Sequence, residues 1–219
     1  NALLPHLKDA SWFYDHTHTE WGTDVDLVYE GAWPAKHIWL GTSIENQKAA
    51  DDRGKALYEI HRLGWVTWVS NEPYIGPINW EAPNYYGFLN WLVCGGESGS
   101  TARPMHLDWA RASRDFCKKN GIAFFYKQQG AFIEVPTDFP IHSKDNSHYV
   151  VLENGDYGPY HGTNLTDKYG NDWQNMNPVI MQKTSKHNGS YPLDGYLHDA
   201  YPIIICDSQI AIGRRFGLY

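Results

Sequence analysis

Four short apolar runs punctuate the first 132 residues, and each breaks off in a polar cluster: HIWLGTSIEN, TWVSNEPYIGP, WLVCGGESG and AFFYKQQG. Each run is rich in β-branched and aromatic residues and short enough to be a buried strand, which predicts strands over 37–43, 66–70, 89–95 and 122–127. The segment after the first run, SIENQKAADDRGKALYEIHRLG, sets Ala50, Leu57, Ile60 and Leu63 near helical spacing and ends at Gly64. The next connection, EPYIGPINWEAPNYYG, holds too many Pro and Gly breakers to be one helix. After the loop ESGSTARPM a second amphipathic helix is predicted from about Asp108, as N-cap, to Asn120, with Gly121 as its stop. Strands alternating with connections of this length make βα units and a parallel sheet in chain order. Four strands are too few to close a barrel. The predicted fold is therefore α/β, a partial (β/α) barrel with parallel strands, over residues 1–132.

Past Phe132 the pattern changes. Asn, Asp, Gly, His and Tyr dominate and the apolar runs shorten, so 133–219 reads as an irregular α+β cap or extension. Tyr149 to Leu152, followed by Glu153-Asn154-Gly155, predicts a hairpin with a primed turn. Val179 to Lys183 and Pro202 to Cys206 are weaker strand candidates. Ahead of the first strand, Asn1 to Lys8 reads as the end of a helix and Trp12 to Pro34 as a long loop. That loop carries an HxH pair, His16 and His18, a spacing that puts two rings on one face of a strand. The chain opens on Asn1 as if within a longer segment, so a missing N-terminal segment or a partner chain is expected to complete the barrel.

Composition narrows the partners. With 18 Lys and Arg against 25 Asp and Glu, the net charge of −7 disfavours broad attraction to duplex nucleic acid or to an anionic membrane. No apolar run approaches the roughly 20 residues of a membrane span, and no basic-then-apolar leader opens the chain. The ten Trp and fifteen Tyr serve packing first, with stacking against a base or sugar as the functional alternative. The three cysteines (Cys94, Cys117, Cys206) form no CxxC pair; Cys94 in an apolar run and Cys117 in a helical pattern read as small core residues. A cytoplasmic protein fits this usage best.

The candidate chemistry sits where the strands run out. Glu45, Glu72 and Glu97 follow three successive strands and Lys127 ends the fourth, which predicts carboxylates and an ammonium sharing one mouth. Such carboxylates can share a proton, hold a divalent ion, or bind an ammonium or ribose hydroxyls. Glu45, Glu72 and Lys127 are the candidate catalytic groups. Gly95-Gly96-Glu97 lets a ligand approach the backbone beside an anion. Arg103 can clamp a carboxylate or phosphate, or tie its loop to Glu97.

Taken together, IWLGTSIENQ, ADDR, VSNEPYIGPI, the stretch WLVCGGESGSTARPMHLDWARASRDFCKKNGIAFFYKQQG and the late Leu193-Asp194-Gly195 resemble a phage-associated protein family of unknown function whose members are radical-SAM-like barrels. The resemblance implies a barrel that binds S-adenosylmethionine beside an iron–sulfur cluster held by an N-terminal three-cysteine motif. This chain has no such motif, and its three thiols are expected to hold no cluster. On that resemblance Ser43, Gly95, Gly96, Glu97 and Ser98 would contact the cofactor, and Asn71, Arg103 and Gln128 the substrate. The substrate is unidentified; the phage setting, in a bacterial host cell, suggests a nucleotide or nucleic acid. Two other classes stay open: a divalent-metal-dependent barrel hydrolase, isomerase or lyase that uses the glutamates, and a non-catalytic binding module of a phage.

Overall fold

A computed structural model of the protein describes residues 34–81, 86–136, 147–160, 173, 175–184 and 192–203. The first half alternates strand and connection: β1 (Trp39–Ser43), α1 (Gln47–Arg62), β2 (Val66–Asn71), β3 (Trp91–Gly95), α2 (Leu107–Asn120) and β4 (Ala123–Gln128). The four strands lie side by side in chain order, all parallel. Register brings Gly41 beside Trp68, Trp68 beside Trp91 and Trp91 beside Ala123. All four predicted strands are present, with ends shifted by no more than two residues.

The period-two alternation of a strand sends neighbouring side chains to opposite faces, and the two faces here differ sharply. Val69, Leu92, Cys94, Phe124 and Tyr126 point into one core with Ala50 and Leu57 of α1 and Trp109, Phe116 and Cys117 of α2. Both cysteines are free and buried, as core residues should be. The connection between β2 and β3 forms no helix among its described residues, yet Tyr74, Ile78, Trp80, Tyr86 and Leu89 from it join the same core. Large rings replace a helix face there: the Trp80 indole donates to Ser113 Oγ at 2.9 Å and Tyr86 donates to the Ala50 carbonyl at 2.6 Å. Much of the aromatic content is thus spent on packing. The opposite face carries Trp39, Trp68, Trp91 and Phe125, which remain partly exposed.

Helix ends refine the sequence reading. Asn46 caps α1, its side chain accepting from the Ala49 amide at 3.0 Å. In α2 the cap is His106, not Asp108: His106 Nδ1 accepts from the Asp108 amide at 3.2 Å, and its Nε2 faces the Asn177 carbonyl at 2.8 Å. That long-range partner fixes the tautomer that leaves Nδ1 free to accept. Asp108 sits in the first turn, where it receives Arg111 at 2.7 Å and Asn177 at 2.8 Å.

The second half is a separate four-stranded sheet, β5 (Phe132–Val135), β6 (His148–Val151), β7 (Tyr157–Pro159) and β8 (Val179–Lys183), in the order β5-β8-β6-β7 and antiparallel throughout. It is more regular than an irregular cap. Phe132, Val151, Val179 and Met181 pack into the main core, while Val135, Val150, Leu152 and Ile180 form a smaller cluster of their own. The expected hairpin joins β6 to β7, but not through a primed turn: Gly155 alone has a positive φ (102°) and the Leu152 amide reaches across to Asp156 at 2.8 Å. Pro202 and Ile203 of the last strand candidate are not in a strand, and its remaining residues, with His16, His18 and the predicted N-terminal helix end, lie outside the described residues. No helix among the described residues is long and apolar enough to cross a membrane.

One substitution tests this packing. Leu92 is fully buried at the centre of the parallel sheet, so Leu92→Ala is expected to cost about 2–5 kcal/mol in denaturant unfolding. A loss under about 1 kcal/mol would mean that the helix-covered face is not the core.

Candidate functional site

The four strand ends bring most of the sequence-predicted residues to one end of the sheet. Glu72 is the hub. Its carboxylate, mostly buried, pairs with Lys127 Nζ at 3.0 Å and accepts from Gln128 Nε2 at 2.6 Å. Gly95 lies beneath it: a Cβ on Gly95 would stand 3.3 Å from the Glu72 carboxyl carbon. Gln128 Nε2 also approaches the Gly96 carbonyl at 3.4 Å. Glu72, Gly95, Lys127 and Gln128 therefore form one cluster built by three neighbouring strands. The ladder slips by one residue between Cys94 and Gly95, pairing Gly95 with Gln128, and this slip lets both Lys127 and Gln128 reach the same carboxylate.

The other two glutamates are held by cations of their own. Glu97 accepts from Arg103 three times, from its amide at 2.8 Å, Nε at 2.8 Å and Nη2 at 2.9 Å. The arginine's fork and its backbone N–H together lower the Glu97 carboxyl below the usual range. Of the two roles open to Arg103, the structure shows the tie to Glu97. Glu45 receives Arg53 Nη1 on both oxygens at 3.1 and 3.0 Å, and the same nitrogen reaches the Ser43 carbonyl. Among the described residues no three His, Cys, Asp or Glu side chains gather in a way that could hold a metal ion.

The two glycines have an internal use. A Cβ on Gly96 would overlap the Gln129 carbonyl oxygen, and one on Gly130 would overlap the Glu97 carbonyl oxygen. The backbones after β3 and β4 thus approach each other more closely than any side chain allows, sealed by Gly96 N–H to Gln128 O at 2.9 Å and Ala131 N–H to Glu97 O at 2.8 Å. Asn71 is fully buried and donates to the Ile44 carbonyl at 2.9 Å, pinning the end of β1 to β2. Ser98 is exposed on the loop after Glu97, and Ser43 is exposed at the end of β1.

Sequence reasoning missed Arg53 and an aromatic row on the open face, which starts from Trp39 and Trp91 at the opposite end of the strands. The aromatic row on the open face is continuous: Trp39 to Trp91 at 5.8 Å, Trp68 to Trp91 at 5.5 Å and Trp91 to Phe125 at 6.2 Å between ring centroids. Its signal was available, since all four successive strands carry an aromatic residue at an outward position. Arg53, the partner of Glu45, had none beyond its place eight residues downstream on α1.

The Glu97–Arg103 pair sets a pH dependence. Because the folded Glu97 carboxyl titrates below its unfolded value, the stabilisation is present above the unfolded value of about 4.3 and is lost as pH falls through the lower folded value. Glu97→Gln is thus expected to destabilise the protein at pH 7 and to match wild type in acid, below the folded Glu97 value. In NMR titrations Arg103→Gln should return the Glu97 midpoint toward the ordinary range. An unmoved midpoint would mean that Arg103 does not hold this carboxylate.

No curated protein and no solved structure matches this chain. A family model does match it, from residue 8 to residue 202, and so over most of its length. The strand series, both helices and the Glu72 and Glu97 clusters all fall inside that match, and the chain belongs to the family described as a protein of unknown function (DUF5131).

Proposed function

We propose that the chain is the C-terminal part of a radical-SAM-like enzyme, with the four-stranded parallel sheet as a wall of a (β/α) barrel and its open face turned to the interior. One observation supports this most: α1, α2 and the aromatic crossover cover a single face, while Ser43, Glu72, Gly95 and Lys127 end their strands toward the other. In parallel α/β barrels the C-terminal strand ends carry the chemistry.

S-adenosylmethionine, when bound, would supply a sulfonium centre for reductive cleavage. The chain's own part is recognition. Glu72 and Lys127 are a preset pair of opposite charges at 3.0 Å, matched to the ammonium and carboxylate of the cofactor's amino-acid end. Exchanging one internal pair for two external ones keeps every charge compensated. Glu97, with both oxygens occupied by Arg103, instead holds the ESGSTAR loop beside them. The aromatic row below offers planar surfaces, which suits a nucleobase-bearing substrate.

The described thiols do not fit an iron–sulfur cluster. Cys94 is fully buried in β3 with its thiol pushed far up by desolvation, and burial in α2 raises the Cys117 thiol to about 12. Neither is available as a thiolate, and no step is assigned to them.

Equilibrium dialysis with S-adenosylmethionine tests the reading on the 219-residue chain. Binding is expected, weakened about tenfold or more by Glu72→Gln and by Lys127→Met, the loss of one charge-assisted contact, and unchanged by Glu45→Gln. No binding by the wild-type chain, or equal binding by Glu72→Gln, would overturn it.

A further inference from the structure

We propose that residues 196–203 form a hinged strap that closes the free edge of β4, with Asp194 as its latch. The chain returns to the parallel sheet here after leaving β8. Tyr126 donates its amide to the His198 carbonyl at 2.7 Å and Ala200 donates to the Phe124 carbonyl at 3.2 Å, so residues 198–200 run antiparallel to β4 in an isolated bridge that pairs Asp199 with Phe125. The Trp91 indole donates to the Ala200 carbonyl at 2.9 Å, and the Tyr201 ring lies 5.0 Å from Trp91 and 5.6 Å from Phe125. Closed, the strap extends the aromatic row of the open face by one ring.

The hold is uneven along its length. At the hinge, Leu193 and Tyr196 exchange backbone hydrogen bonds at 3.0 and 3.1 Å around Asp194 and Gly195, whose positive φ values (54° and 80°) make a primed turn. Leu193 is 1% exposed, and Asp194 sits between two guanidinium groups, Arg111 Nε at 2.9 Å and Arg114 Nη1 at 2.6 Å. Arg111 is itself shared with Asp108 at 2.7 Å and Glu134 at 3.7 Å, so the latch ties the turn to α2 and β5 together. Past the turn the hold rests on those backbone and ring contacts, and the side chains are little buried: Tyr196, Leu197, Tyr201 and Ile203 are 72%, 61%, 60% and 90% exposed. These are four of the six large apolar side chains exposed among the described residues. Open space lies along it, a groove of about 550 Å³ against Arg114, Lys118 and Phe124 and another of about 420 Å³ against Leu89, both reaching Ile122 and Ala200. His198 Nε2 is buried without a hydrogen-bond partner, which makes the closed state costlier to keep.

A firmly anchored turn followed by an edge segment with few buried side chains is the construction of a closure that swings, not of a packed sheet strand. Opening would free the edge of β4 and withdraw Tyr201 from Trp91 and Phe125. Site-resolved amide exchange on the full chain tests this with Asp194→Asn. The amides of Tyr126 and Ala200 are expected to exchange about tenfold faster while β2 amides keep their rates. Unchanged exchange at Tyr126 and Ala200 would overturn the latch, and a uniform rise across β2 and β3 would show a structural role only and overturn it equally. Arg114→Gln, which removes one arm of the clamp, should give the same local pattern at about threefold and covers the case in which Asp194→Asn does not fold.

Discussion

The parallel register of β1 to β4 is the constraint on which the rest depends. Parallel strands leave no room for short turns, so every return to the sheet needs a crossover, and all crossovers here land on one side. Two are helices and one is an aromatic-rich loop that fills the helix position with Tyr74, Trp80 and Tyr86. The consequence is a sheet with one face sealed in the core and one face left to Trp39, Trp68, Trp91 and Phe125. The same register carries Glu72, Gly95, Lys127 and Gln128 to adjacent places at one end, so packing and site are products of one arrangement.

Electrostatics then sorts the three carboxylates that follow the strands. Glu45 and Glu97 are each neutralised by an arginine a few residues along the chain, which fixes a helix start in one case and a loop in the other. Glu72 is paired across strands, with a lysine from β4 that is more than half exposed at its side chain. An exposed ammonium over a sheltered carboxylate can be exchanged for a ligand; the Arg103 fork closed on both oxygens of Glu97 resists it, and Arg53 also ties Glu45 to the Ser43 carbonyl. That difference singles out Glu72 as the centre of the site.

The sheet was legible because each strand is a compact apolar run and the alternation of strand and crossover dictates parallel order. Charged groups at strand ends were legible for the same reason. Local signals failed where a distant partner decides. His106 caps α2 because Asn177 holds its ring, and nothing near His106 announces that. The order β5-β8-β6-β7 depends on pairing residues some fifty positions apart, beyond any local pattern. The Asp194-Gly195 pair carried a turn signal, but its two arginine partners lie some eighty residues upstream. The strap after it, YLHDAY, alternates too weakly to read as a strand.

The claim that these strand ends form one binding wall is tested most directly by photo-crosslinking the chain with a photoreactive analogue of S-adenosylmethionine and mapping the modified residues. The account predicts adducts at the ends of β1 to β4, around Ser43, Glu72, Gly95 and Lys127, competed away by the unmodified cofactor. Competed adducts confined to the outer surfaces of α1 and α2 or to the antiparallel sheet would contradict it.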